Sequence, residues 1–279
     1  MTFNAESLFS LAGKTVILTG ASGFLGRTMS RALLENGARL VALGRSDRLR
    51  NELLAWENEF GSDRVAYHQI DMYDLPVLEK TLQQITQDEA RIDGLINNAH
   101  ELGPNTGFNI PGGALSEATH DQWMRNLTGG VYWPALATQQ IGPRMKAQQQ
   151  GSIINISSMY ALVAPSPHLY AGTSFINPPG YSAAKAALLA LTRYTASFWG
   201  ADGIRANAVL PGPFSNTQDR GPNSVCAADP FIERLKTRTC LGRVGRPEEL
   251  VGAILFLASD ASTFVTGHSL VVDGGWTIT

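Results

Sequence analysis

Tyr181 and Lys185 stand four residues apart in Tyr181-Ser-Ala-Ala-Lys185, at the head of a helical-looking run to Ala201. Pro178-Pro179-Gly180 precede the run and bar it from extending backwards. On a helix this spacing puts the phenol and the ammonium on one face. A free phenol titrates near ~10, and a cation beside it, helped by the positive end of the helix dipole, favours the phenolate. The spacing therefore predicts a phenol that exchanges a proton near neutral pH, as general acid–base catalysis requires. A Tyr–Lys pair on a solvated helix also arises by coincidence, so other parts of the chain must supply the remaining chemistry.

The elements that would position this pair alternate between strand and helix. Lys14–Thr19 is a short apolar, β-branched run that reads as a buried parallel strand. It is followed by Thr19-Gly-Ala-Ser-Gly-Phe-Leu-Gly26 and a helical pattern from Arg27 to Asn36. Such a turn, through Gly20, Ser22, Gly23, Phe24, Leu25 and Gly26, brings backbone N–H groups and a helix N-terminus to a pyrophosphate. Further strands are expected at Ala38–Leu43, Arg64–Ile70, Ile92–Ile96, Gly151–Ser158, Ile204–Leu210 and Ser269–Val272. Between them lie helical patterns at Arg48–Phe60, Asp74–Thr86, His120–Gln148 (interrupted near Gly129-Gly130 and Pro134) and Pro247–Ser259. Gly103–Gly113 is loop, Met159–Gly180 is a long proline-rich loop beside the pocket, and Phe214–Arg246 is irregular with one helix.

This alternation predicts a Rossmann-like, doubly wound parallel α/β sheet, built as one domain over 1–279 with substrate loops at about 159–180 and 213–246. Ligands of such sheets bind outside the carboxyl ends of the strands. Gly20, Arg45, Asp71, Asn98, Ser158 and Pro211 all fall at those ends. The second strand ends Gly44-Arg45-Ser46, without the carboxylate that grips ribose hydroxyls and repels a 2′-phosphate. Arg45 and Ser46 suit a phosphate instead, which predicts NADP(H) over NAD(H). Asp47 reads as the cap of the next helix, and Asp71, with Met72, is placed to meet an adenine amino group.

Composition excludes several classes. Apolar residues make up 44% and charged residues 16%, with a formal net charge of −2 and no Lys/Arg-rich block. A nucleic-acid footprint is not expected, nor is a membrane span, since no apolar run approaches the ~20 residues one needs. Met1–Gly13 does not read as a signal peptide, so cytoplasm is the expected location. Cys226 and Cys240 form no CxxC and the five His no HExxH, so neither disulfide nor catalytic metal is expected.

Taken together, the chain resembles the single-domain branch of the short-chain dehydrogenase/reductase family over nearly its full length. The residues that carry the likeness are the Thr19–Gly26 turn, Asn97-Asn98-Ala99, Asn126, Ser158, Tyr181-x-x-x-Lys185, Ile204 through Pro211-Gly212, Phe256–Asp260 and Val271–Gly275. The resemblance implies hydride transfer between a nicotinamide and an alcohol or carbonyl, with no metal, commonly in a homotetramer. It gives Ser158 the carbonyl oxygen, Tyr181 the proton, Lys185 the nicotinamide ribose and the acidity of Tyr181, and Asn126 a water leading from Lys185 to solvent. Ser157 is the rival for Ser158. Asn98, Ala99, Pro211 and Gly212 would line the cofactor.

The chain departs from the family pattern at three places. Phe24 stands in the glycine turn where a glycine is usual, and must turn away from the phosphates. His100 replaces the usual glycine after Asn-Asn-Ala, near the nicotinamide or substrate or else buried as structure. Ser158 and Tyr181 are separated by nearly double the usual spacing, and Tyr170 occupies the ordinary position, but Ser174 rather than Lys follows it. The chemistry needs the cation, so Tyr181 is preferred and the excess is read as an insertion. Its subgroup looks similar to bacterial reductases of gluconate-like or surface sugars. Polar residues of the loops (His168, Tyr170, Asn216, Gln218, Arg220), with His100, predict a polyhydroxylated carbonyl substrate. A nucleotide-sugar epimerase or dehydratase, suggested by Gly20-x-x-Gly23-x-x-Gly26, and a non-catalytic dinucleotide sensor are the alternatives.

Overall fold

The computed structural model describes residues 4–46, 48–173, 176–215 and 229–279. Asp47, Ser174, Asn216, Gln218, Arg220 and Cys226 lie outside the described residues. Short helix α1 (Ala5–Phe9), which the sequence reading missed, precedes strand β1 (Thr15–Thr19) and helix α2 (Phe24–Glu35). There follow β2 (Arg39–Gly44), α3 (Arg48–Phe60), β3 (Val65–Gln69), α4 (Leu75–Asp88) and β4 (Gly94–Asn97). Next come α5 (His120–Leu127), α6 (Trp133–Gln148), β5 (Gly151–Ile156), α7 (Pro167–Tyr170), α8 (Pro179–Trp199) and β6 (Ile204–Pro211). The chain closes with α9 (Pro230–Thr237), α10 (Val251–Ala258) and β7 (Ser269–Val272).

The seven strands form one sheet in the order β3-β2-β1-β4-β5-β6-β7, and every pairing is parallel. The order reverses direction beside β1, between β1 and β4, which makes the crevice there the place for a ligand. Strands β1, β4 and β5 are buried at every position, as continuous apolar runs covered on both faces must be. One apolar cluster packs α2 and α10 on one face through Leu33, Leu34, Ile254 and Leu257. The other packs α4 and α6 through Leu78, Leu82, Ile141 and Met145. No helix of the described residues is long and apolar enough to cross a membrane.

Several helix boundaries differ from expectation, and the foreseen interruption takes a defined form. Helix α2 starts at Phe24 rather than Arg27, because Gly23 takes the extended N-cap conformation and the turn is already helical beyond it. Helix α8 starts at Pro179, two residues before Tyr181; a proline at the first helical position gives up only an N–H that had no helical partner. The interruption foreseen near Gly129-Gly130 is a π-helical turn, Thr128–Tyr132, between α5 and α6. Pro247–Leu250 is 3-10 helix, with α-helix only from Val251.

The loop after β5 is more ordered than a plain lid. Its helix α7 lies against α9, and Arg234 donates to the carbonyls of His168, Leu169 and Ala171 at 3.4, 3.0 and 2.5 Å. Met159, Tyr160, Leu169, Ile232, Leu235 and Trp276 form a separate small core there, joined by Tyr170, Tyr181 and Phe231. The described parts of the two predicted substrate loops thus pack on one another beside Tyr181.

Candidate active site

The glycine turn leaves no room for side chains at its crossing. Gly20 has φ +68°, and a Cβ on Gly26 would lie 2.1 Å from the Gly20 carbonyl oxygen. Helix α2 therefore starts close against the end of β1. Its N-cap, Gly23, offers no side-chain cap, so the first-turn N–H groups are not consumed by one. Such a cradle fits a dinucleotide pyrophosphate. Leu25 packs into the core under the turn and Phe24 is half-buried.

Around this cradle the predicted cofactor residues divide by what they touch. Asn98 spends its amide protons on the Thr19 and Gly20 carbonyls at 3.1 and 3.0 Å, bracing the turn. The Thr19 hydroxyl accepts from the backbone N–H groups of Asn98 and Ala99, both at 3.1 Å. Ser22 faces Gly44, where a Cβ would come 3.0 Å from its hydroxyl. Arg45 and Ser46 are exposed at the end of β2. Asp71 is exposed and accepts from the Tyr73 N–H at 3.1 Å, while Met72 is buried. Gly212 packs so closely on β7 that a Cβ would meet Asp273 Cα at 2.4 Å, and its N–H donates to the Val272 carbonyl at 2.9 Å. Pro211 is buried at the end of β6.

The two candidate serines differ in their partners. The Ser157 hydroxyl donates to the Lys185 backbone carbonyl at 2.8 Å and is buried as a strut between β5 and α8. Ser158, just beyond β5, accepts from the Tyr160 N–H at 3.2 Å, and its hydroxyl acts on the Tyr181 phenol, opposing the effect of burial there. Ser158 and Tyr181 therefore meet. Tyr170 does not take that place: its hydroxyl pairs with that of Tyr160 at 3.0 Å, and its ring tilts against Phe231. Burial pushes the Tyr170 phenol far above its ordinary range. His168 is exposed on α7.

The electrostatics overturn one expectation. Burial pushes the Tyr181 phenol up to about 12, not down, with the Ser158 hydroxyl opposing it. Burial also lowers Lys185 to about 7. The Lys185 ammonium donates to the Ile156 carbonyl at 2.8 Å and lies 5.7 Å from the Tyr181 ring centre. An amine that is half neutral near pH 7 is a poor source of the positive charge that would make a phenol acidic. The helical spacing placed the two groups correctly; their depth in the protein set the direction of the shifts.

Asn126 is almost fully buried. Its amide donates to the carbonyls of Thr106 and Gln122, each at 2.8 Å, and its Oδ1 lies 3.3 Å from His100 Nε2. Both amide protons are spent on protein, so the side chain offers a water no donor. His100 stacks edge-on against the Tyr181 ring, with centres 5.0 Å apart at 87°. Phe108, which the sequence left inside an unremarked loop, does the same from another side at 5.1 Å and 81°. Burial, and secondarily Lys185, hold the imidazole down at about 3, so it is neutral. Sequence reasoning also missed a buried polar chain, Asn97 to Asn155 at 2.8 Å and Asn155 to Thr192 at 2.8 Å, which ties β4 and β5 to α8. An aromatic in a Gly/Pro/Asn-rich loop and asparagines inside strands were its available signals.

A cleft of about 370 Å³ opens at the opposite, amino ends of the strands around Lys14, Asp93, Arg205 and Asp260. Its charges already have partners, Lys14 with Asp260 and Arg205 with Ser262 and two carbonyls, so it is not the catalytic site.

Comparison with known proteins agrees with this geometry. The family model described as enoyl-(acyl carrier protein) reductase matches residues 20–277. A sorbose reductase of Schizosaccharomyces pombe is 32% identical over 97% of this chain and 98% of its own length. An L-rhamnose 1-dehydrogenase (NAD(P)(+)) of Azotobacter vinelandii is 35% identical over 95% and 97%. The crystal structure of a gluconate 5-dehydrogenase from Burkholderia cenocepacia, in complex with NADP and tartrate, superposes with a TM-score of 0.82. It is 28% identical and covers 99% of this chain and 100% of that one.

Proposed function

The chain belongs to the short-chain dehydrogenase/reductase family and is a nicotinamide-dependent oxidoreductase, and from that premise we propose a reaction centre of Ser158, Tyr181 and Lys185 acting on a sugar or sugar-acid carbonyl. The observation that carries the reading is the meeting of Ser158 with Tyr181 at the carboxyl end of β5, one helical turn from buried Lys185. A bound nicotinamide supplies or accepts the hydride. Ser158 donates a hydrogen bond to the carbonyl oxygen, and Tyr181 delivers its proton to the same oxygen. A phenol near 12 is fully protonated at neutral pH, so in the reducing direction the acid is already loaded. Lys185 binds ribose hydroxyls and replenishes the phenol. Asn126 completes the Ser–Tyr–Lys–Asn centre by holding the water that links Lys185 to solvent, while its amide braces the surrounding loop.

The glycine turn, with Gly20, Ser22, Gly23, Phe24, Leu25 and Gly26, holds the pyrophosphate; Arg45 and Ser46 take the 2′-phosphate, and Asp71 and Met72 border the adenine. Asn98, Ala99, Pro211 and Gly212 shape the nicotinamide side. Relatives named for sorbose, rhamnose and gluconate support the substrate class. His100 belongs to the wall behind Tyr181 and not to the substrate contacts. A homo-oligomer, tetramer or dimer, in the cytoplasm completes the reading; the stacked and exposed Tyr194 and Phe198 on α8 support a subunit contact.

Two measurements test it. In a panel of keto-sugar acids, polyols and hydrophobic ketones, kcat/KM should favour the polyhydroxylated compounds, because a site built to pair hydroxyls leaves its own polar groups unpaired with an analogue lacking them. Clear preference for a hydrophobic ketone would overturn the substrate class. In fluorescence titrations NADPH should bind more tightly than NADH, by about ten- to a hundred-fold, the worth of a charge-assisted contact of roughly 1.5–3 kcal/mol. Equal or tighter binding of NADH would remove Arg45 from the 2′-phosphate.

A further inference from the structure

His100 is joined to the centre at two points. Its ring meets Tyr181 edge-on, and its Nε2 meets the side chain of Asn126 at 3.3 Å. The second contact has a fixed polarity. Because the Asn126 amide nitrogen donates to the Thr106 and Gln122 carbonyls, its Oδ1 can only accept, and His100 must carry its proton on Nε2. Nδ1 is then the bare nitrogen, buried and without a partner. It lies against the π-helical turn: a Cβ on Gly130 would come within 3.2 Å of Nδ1 and 2.6 Å of the Ala184 Cβ. With no acceptor for a second proton, and with burial and Lys185 both opposing charge, the ring stays neutral through the working pH range.

Asn126 passes the connection on. Through Thr106 it holds the loop that carries Phe108, and Phe108 closes on the other side of the Tyr181 ring. Edge-to-face pairs at these separations have a preferred orientation, so two of them about one phenol restrict its tilt. We propose that His100 is a positioning residue for Tyr181, acting through its ring on the phenol and through its Nε2–H on the Asn126–Thr106–Phe108 arm. This role rests on Tyr181 being the proton donor, as proposed above. His100 touches neither substrate nor cofactor in it.

The two halves of the role are separable by substitution. His100→Phe keeps a ring beside Tyr181 and loses the donor to Asn126. His100→Gln keeps an N–H at similar reach and loses the ring. His100→Ala loses both. The expected result is a fall in kcat of at least about tenfold for His100→Ala, with KM for cofactor and substrate within about twofold, the pattern of an interaction used in the transition state. Phe and Gln should each restore part of the loss. Removing the ring also admits water to the phenol, so the Tyr181 titration should move down from about 12 toward the ordinary ~10. Phenolate absorbance, taken as the difference between each protein and its Tyr181→Phe counterpart, reads this without turnover. A folded His100→Ala enzyme with unchanged kcat and unchanged Tyr181 titration would overturn the proposal. So would a loss of kcat that neither Phe nor Gln restores while the titration stays put, the mark of a merely structural histidine. If Tyr181→Phe itself retained full activity, the parent reading would fail, and the absorbance measurement would still report whether His100 governs the phenol.

Discussion

Tyr181→Phe is expected to lose at least ~10² in turnover, with cofactor affinity unchanged. The substitution removes one oxygen and keeps the ring between His100 and Phe108, so the packing of both edge-on contacts survives. What is lost is the proton for the carbonyl oxygen and the partner of the Ser158 hydroxyl. Tyr170→Phe makes the contrast, since Tyr170 sits at the family's usual spacing from Ser158. Its hydroxyl is occupied by Tyr160 and no lysine follows it by one helical turn. It should retain most of the activity, with any loss confined to particular substrates. An active Tyr181→Phe beside an inactive Tyr170→Phe would transfer the acid to Tyr170. The measurement is kcat and KM by cofactor absorbance, with a separate titration of cofactor binding.

Much of this centre was legible because a few residues permit only one backbone. Gly26 cannot carry a side chain against the Gly20 carbonyl, so the glycine pattern alone specifies strand, turn and helix. Unbroken apolar runs such as Val16–Leu18 and Leu95–Ile96 announced strands covered on both faces. The spacing of Tyr181 and Lys185 placed them on one helical face. Depth was not legible. The expected acid phenol required a charged lysine, but a lysine whose ammonium donates, among the described residues, to the Ile156 carbonyl alone keeps its charge poorly, and a half-buried phenol packed between rings holds its proton. Nor could spacing show that Phe108 folds back onto Tyr181, that Asn126 spends its amide on Thr106 and Gln122, or that Ser157 and not Ser158 is the strut. Those facts depend on loops whose path is set by contacts distant in sequence. Helix α1 was missed because five residues capped by Asn4 show too little periodicity to be read.

Lys185→Met should abolish most activity and at the same time stabilise the fold. The loss follows from the role: no group remains to return a proton to Tyr181 or to bind the ribose, and a fall of about 10² or more is expected. The gain follows from burial. Held near 7 in the folded protein against an ordinary 10.5, the amine opposes folding whenever the unfolded chain is charged. Between these two values the unfolded state binds more protons than the native one, so stability rises with pH across that window. At pH 7 and below the burden is largest, on the order of a few kcal/mol, partly offset by the bond to the Ile156 carbonyl that methionine cannot make. Lys185→Met removes the whole dependence. Its melting temperature should exceed that of the parent chain by several degrees at pH 7, given about 2–4 °C per kcal/mol for a chain near this size. The advantage should shrink steadily toward pH 10, where the unfolded lysine also begins to lose its proton. Thermal melts of both proteins at half-unit pH steps, without added cofactor, make the comparison. A difference that does not vary with pH would mean that the Lys185 ammonium is solvated in the native state, and the depth assigned to this centre would be wrong.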